Sequence, residues 1–110
     1  MAIDYPRAME AYKVGAEGGV ADCQHQFGIM YRRGEGVAVD FKKARAWLEK
    51  AAAQDHPHAV GQLGTMYAAG EGVTPSWRRA RELYKRAIEL GSSMAVEGMQ
   101  NLTEVIQEVS

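Results

Sequence analysis

Long apolar runs and a bias of charge are both missing from this chain of 110 residues. No stretch approaches the roughly 20 apolar residues that a membrane-spanning helix needs, so membrane insertion is not expected. Thirteen Lys and Arg stand against 14 Asp and Glu, a formal net charge of -1. That balance removes the overall attraction to nucleic acid or anionic lipid that a strongly basic domain has. With a single cysteine, Cys23, the chain cannot build an internal disulfide framework, and a reducing compartment is the plainer setting. The opening stretch MAIDYPRAMEAY lacks the apolar core of a signal peptide. Both observations favour the cytoplasm, although no residue names a compartment. Chemistry-bearing signatures are absent as well: no Ser/His/Asp arrangement, no motif of paired inward carboxylates and no phosphate loop stands out. No catalytic residue, metal or cofactor is therefore expected.

What the chain does have is self-similarity. Shifted by 36 residues, it overlays itself without a gap. Ala8, Ala44 and Ala80 coincide, as do Tyr12, Leu48 and Tyr84. Cys23, Ala59 and Ala95 form a column of small residues, and Phe27, Leu63 and Met99 a column of large ones. The segment Gly28-Ile29-Met30-Tyr31-Arg32-Arg33-Gly34-Glu35-Gly36-Val37 returns as Gly64-Thr65-Met66-Tyr67-Ala68-Ala69-Gly70-Glu71-Gly72-Val73. A fixed period of this length is the mark of stacked supersecondary units, each unable to bury its apolar face alone. The 12 glycines recur at regular places, which sets this composition apart from that of a flexible linker.

Each unit reads as two helices. Asp4, Asp40 and Ser76 share a column and suit helix N-caps, where a short oxygen side chain accepts from free amides of the first turn. An aromatic follows each cap: Tyr5, Phe41 and Trp77. Apolar or small residues then recur at helical spacing, as in Ala44, Trp47, Leu48, Ala51 and Ala52. The first helices are predicted to end near Gly18-Gly19, near Asp55 and at Gly91, with Gly18, Gly19 and Gly91 suited to a left-handed closing residue. Pro57 suits the first position of a second helix, where its missing N–H is not needed. Ser92 or Ser93 can cap the corresponding helix of the third copy. The Gly-Glu-Gly-Val segments end the second helices, and Val37 and Val73 are expected to tuck under the loops. In the third copy Gln100 replaces the glycine, Thr103 replaces the tyrosine and the loop is gone. Ala95, Met99, Leu102, Ile106 and Val109 instead predict one amphipathic helix from about Ser93 to the end, covering the last open face. The whole is predicted as one all-α domain over residues 1–110. It is a right-handed α/α superhelical solenoid of three helix-turn-helix repeats, at about 4–37, 40–73 and 76–110, with six helices.

The pattern Asp40-x-x-Lys43-Ala44-x-x-Trp47-x-x-x-Ala51-Ala52, followed by Ala59-x-x-x-Leu63-Gly64-x-Met66-Tyr67-x-x-Gly70-x-Gly72-Val73, resembles the Sel-one-like repeat family, a relative of the tetratricopeptide repeat. The first unit carries Phe27-Gly28-x-Met30-Tyr31-x-x-Gly34-x-Gly36-Val37, and the resemblance covers residues 4 to 102. It implies a right-handed superhelix of antiparallel helix pairs and a role as an adaptor or scaffold that assembles protein complexes. Some bacterial relatives hold the two helices of a repeat together by a disulfide, which a chain with one cysteine cannot do.

Charge placement is the functional hint beyond the fold. Of the 13 Lys and Arg, all but Arg32 and Arg33 fall on the first helices of the units. Arg7, Lys43 and Arg79 share one column, Arg45 and Arg81 a second, Lys50 and Arg86 a third. Stacked, these columns predict basic stripes along a groove that would receive a protein or peptide with an acidic segment. The plainer alternative is solvation, because Glu10, Glu49, Glu82 and Glu89 lie on the same helices. Trp47 is expected in the hairpin core. Trp77 is expected to pack against the preceding loop, with a partner contact as the alternative. His56 and His58 flank Pro57 and read as turn residues, since no third ligand is in place by local spacing. Cys23, in the column of Ala59 and Ala95, reads as a small core residue. Gly34-Glu35-Gly36-Val37 echoes nucleotide-binding glycines but follows a helix rather than a strand. The leading reading is a binding module, monomeric in isolation and using its concave face. The alternatives are a structural or self-association domain of a larger protein and, more remotely, a hydrolase-like protein that binds cell-wall-type ligands, as the resemblance suggests for some relatives.

Overall fold

The computed structural model describes residues 4–109, and every regular element among them is helical. In order these are α1 (Tyr5–Glu17), α2 (Ala21–Arg33), α3 (Phe41–Ala52), α4 (Pro57–Ala69), α5 (Trp77–Glu89) and α6 (Ser93–Val109). Successive helices pack antiparallel into an elongated stack of 46 × 28 × 26 Å. The three predicted caps form alike: the side chains of Asp4, Asp40 and Ser76 accept from the amides of Arg7, Lys43 and Arg79 at 3.0–3.1 Å. Pro57 opens α4 as expected, and His56 caps it, its Nδ1 accepting from the Ala59 amide at 3.2 Å. In the third unit Ser92 lies at the cap, with its hydroxyl 3.4 Å from the Ala95 amide.

The first helices close where expected, and of the two glycines after α1 one takes the left-handed conformation. Gly18 keeps a right-handed φ of -78° and the left-handed residue is Gly19, at 87°. Gly91 closes α5 at 103°, and Asp55 takes 59° after α3. Asp is among the few non-glycine types that enter this region at modest cost.

The core follows the repeat columns. Ala44, Leu48, Ala51, Ala59, Leu63, Met66, Ala80, Tyr84, Ala87 and Ala95 are buried in one continuous cluster, joined by Leu102 from α6. A smaller cluster of Met9, Ala16, Phe27 and Met30 fills the first hairpin. Two equivalent glycines set the distance between units. A Cβ on Gly28 would lie 2.9 Å from Leu48 Cγ, and one on Gly64 would lie 2.8 Å from the Tyr84 ring. The missing side chains let each second helix close on the next first helix, burying a large residue in the gap. Cys23 is half-buried, and a Cβ on Gly15 would overlap its sulfur. Trp47 is not enclosed in the hairpin core. It is half-buried against the first-hairpin cluster, edge-on to Phe27 with centroids 5.2 Å apart, whereas its equivalent Leu83 is enclosed in the main core.

The Gly-Glu-Gly-Val loops fold back on their own first helices. Gly34 and Gly70 close α2 and α4 in the left-handed conformation, at φ 72°. Gly36 then rests on Tyr5 and Gly72 on Phe41. Val37 and Val73 are half-buried beneath these turns. The third unit has no such loop, since α6 runs on through the equivalent positions. Ala95, Met99 and Leu102 of α6 pack on the core, whereas the side chains of Ile106 and Val109 lie outside the described residues.

Candidate partner-binding surfaces

The cations of the first helices do not form one face. On α5, Arg79 and Arg86 are seven residues apart and so about 20° apart around the helix, whereas Arg81 is rotated by roughly 160° from Arg79. The contacts agree with this. Arg79 lies over the Tyr67 ring at 5.9 Å and 3.5 Å from Glu82. Arg86 reaches back to the Ala52 carbonyl at 3.2 Å and to the Asp55 carboxylate. Arg81 borders a groove with Trp77, Arg78, Glu82 and Lys85 on another side of the helix.

The remaining predicted cations are held locally. Lys43 repeats the Arg79 arrangement one unit earlier, with its ammonium 5.5 Å from the centroid of Tyr31, the residue in the column of Tyr67. Lys50 sits 4.4 Å above Trp47. Arg45 pairs with Glu49 at 3.8 Å, and Arg7 with its own cap Asp4 at 3.7 Å. Among the described residues Lys43, Lys50 and Arg81 have no carboxylate partner. Lying over an aromatic face fixes a lysine's position without neutralising its charge.

Two constellations escaped the sequence reading. Arg32 joins the first two units: its Nε donates to Glu71 and its Nη1 to Gln62, both at 3.0 Å, with side chains about one-fifth exposed. In the first unit the equivalent acid, Glu35, instead accepts from Tyr5 and raises its pKa. The second constellation is a histidine triangle. His25, from α2, stacks on His56 at 4.7 Å between centroids and lies 6.1 Å from His58. Sequence spacing could not place His25 there, since it stands some thirty residues away and arrives through hairpin packing.

This triangle is not arranged as a metal cage. Both nitrogens of His56 are engaged, Nδ1 by the Ala59 amide and Nε2 by Asp22 at 2.7 Å. No group of three or more His, Cys, Asp or Glu among the described residues is placed to hold an ion. Burial, followed by the neighbouring His56 and His58, lowers the pKa of His25 to about 4. Its Nε2 is buried and has no hydrogen-bond partner among the described residues.

A profile of the Sel1 repeat matches residues 21–56 and again residues 57–92. The chain belongs to the Sel1 repeat family. The match advances by 36 residues, the period read from the sequence. Among solved structures, a Sel1 repeat protein from Oxalobacter formigenes superposes with a TM-score of 0.81 at 34% identity, over 87% of this chain and 39% of that one. A protective antigen of uropathogenic Escherichia coli displaying the same repeat fold gives 0.80 at 36% identity, over 84% of this chain and 20% of that one. Helicobacter pylori cysteine rich protein B gives 0.77 at 24% identity, over 86% of this chain and 71% of that one, a likeness of fold. The chain thus spans well under half the length of the first two. Comparison with curated proteins gives no match. Sel1 repeats are helical repeat modules that generally act as protein-interaction scaffolds, and the repeat fold itself is non-catalytic. No helix among the described residues is long and apolar enough to cross a membrane.

Proposed function

We propose that this chain is a non-catalytic protein-binding module that receives an acidic segment of a partner along the cations of its first helices. The observation that carries this reading is the repeated pair Lys43–Tyr31 and Arg79–Tyr67, which sets a cation at the same place in two successive units. Regularly spaced, pre-positioned charges suit an extended chain with carboxylates at intervals, because little side-chain freedom remains to be lost on binding. Lys50 and Arg86 extend the same side of the stack, while Arg45 and Arg81 offer a second line of charge.

A labelled oligo-glutamate peptide with no apolar residue is the direct probe. Its binding, followed by fluorescence anisotropy, should weaken about tenfold in the double variant Lys43→Glu, Arg79→Glu and should fall with added salt. Equal affinity in wild type and double variant would remove the acidic-segment reading. Light scattering over a concentration series tests the alternative of a self-associating structural domain, which predicts a mass that rises with concentration.

A further inference from the structure

The last unit contains a cleft that the middle unit fills with its own side chains. In the middle unit Arg32 spans from α2 to Gln62 and Glu71, and Phe41 lies under the loop glycine Gly72. Thirty-six residues on, those columns hold Ala68, Gly98, Gln107 and Trp77, and position 108 continues a helix instead of forming a loop. The guanidinium and the covering turn are both gone. What remains is a cleft of about 250 Å³ walled by Ala68, Trp77, Tyr84, Gly98 and Leu102, with Thr65 and Asn101 as its polar lining. Trp77 is 40% exposed at its mouth. On the other side of Trp77 lies the groove of Arg78, Arg81 and Lys85, about 520 Å³, with Glu82 its one acid among the described lining residues.

We infer that the Trp77 cleft seats one apolar side chain of an acidic protein segment, whose flanking carboxylates lie on Arg78, Arg81 and Lys85. This rests on the reading that the partner is an acidic segment and says where its anchor goes. Three observations select the occupant. The walls are mainly apolar or aromatic, so the inserted group is apolar. The column of Glu71, the carboxylate that receives Arg32, holds the neutral Gln107, so that acidic position is not repeated in the last unit. The adjoining groove carries three cations against one acid, so the chain on either side of the anchor is acidic. A half-exposed Trp beside such a cleft is also the type of residue that dominates binding energy at protein interfaces.

The test uses the full chain in a Trp47→Phe background, so that fluorescence reports Trp77 alone. The probes are a short glutamate-rich peptide with one central leucine, the same peptide with serine for leucine, and the same peptide with lysines for glutamates. The leucine peptide should shift the Trp77 emission and bind about tenfold more tightly than the serine peptide, with the lysine peptide weaker than both. Ala68→Arg, which puts a long side chain at the wall of the cleft, should abolish the advantage of leucine while circular dichroism stays unchanged. Arg78→Glu with Arg81→Glu should weaken both acidic peptides. Should Ala68→Arg not fold, Trp77→Ala serves in its place, with binding read by calorimetry. Equal affinity for the leucine and serine peptides overturns the cleft assignment. It leaves the acidic-segment reading intact if oligo-glutamate binding still depends on Lys43 and Arg79. Leucine-peptide binding that depends on Trp77 but not on Lys43 and Arg79 supports the cleft and counts against the first-helix stripe. A concentration-dependent dimer lost on Trp77→Ala, with no peptide bound, assigns the cleft to a second copy and overturns the inference.

Discussion

The middle and last units share their columns but not their surroundings. Phe41 lies beneath the turn that carries Gly72, and Arg32 bridges to Gln62 and Glu71. Trp77, its equivalent, faces solvent at 40% exposure because the chain continues as α6 instead of turning back. The middle unit is therefore packed on both sides, and the last unit on one. The difference lies in neighbours rather than in the helices themselves: α3 and α5 open with the same cap and bury the same columns. Within a solenoid, stability is a sum of unit and interface contributions, so a missing neighbour lowers the contribution of the exposed unit and frees its surface for another molecule.

Substitutions in the doubly packed unit should therefore be the costlier ones. Leu48 is fully buried against Gly28, and Leu48→Ala should lower stability by about 3–4 kcal/mol in chemical denaturation. Phe41→Ala should cost roughly 2 kcal/mol and Trp77→Ala under about 1 kcal/mol, since less of Trp77 leaves water on folding. Similar losses at the two positions would erase the distinction between the units.

The histidine triangle sharpens the comparison, since it lies at the junction of the first two hairpins and the last has no equivalent. The folded-state pKa of His25 is about 4, below the unfolded value near 6.5. The unfolded chain therefore binds the proton first, so the stability contributed by neutral His25 is present above about pH 6.5 and is lost as pH falls toward 4. His56, His58 and Arg33 oppose protonation and Asp22 favours it. With solvent screening allowed for, the loss should be roughly 1–2 kcal/mol. Melts near pH 7.5 and 4.5 should show a larger acid loss in wild type than in His25→Phe; parallel losses would exclude the triangle as their source.

On one modest effect the two units should agree. Asp40→Ala and Ser76→Ala each remove one cap hydrogen bond and should each cost about 1 kcal/mol, read by amide exchange in the first turns of α3 and α5. Caps act locally, so a clear inequality would mean that neighbouring units reach even the helix ends.

Much of this was legible in the chain alone. The period, the caps at Asp4, Asp40 and Ser76, the small and large columns and the single long last helix all follow from local rules applied three times over. What the chain alone left open or misplaced is what depends on neighbours in the stack. Trp47 fits a core spacing, yet it is only half-buried while its equivalent Leu83 is enclosed. Gly18 and Gly19 are equally permissive, and the packing of the turn decides between them. Arg79 and Arg81 share a helix and a charge, yet about 160° of rotation puts them in different environments.

The sequence by itself determined the architecture, because a helical hairpin repeated in register has one way to bury its apolar columns, against the next copy of itself. Only the tertiary structure decided what the surface offers. It brought His25 to His56 and His58, seated Arg32 on Gln62 and Glu71, and left the equivalent cleft beside Trp77 open. The physical reason is range: caps and periodicity act within a few residues, whereas these features join side chains about thirty or more positions apart, whose meeting depends on how the units stack.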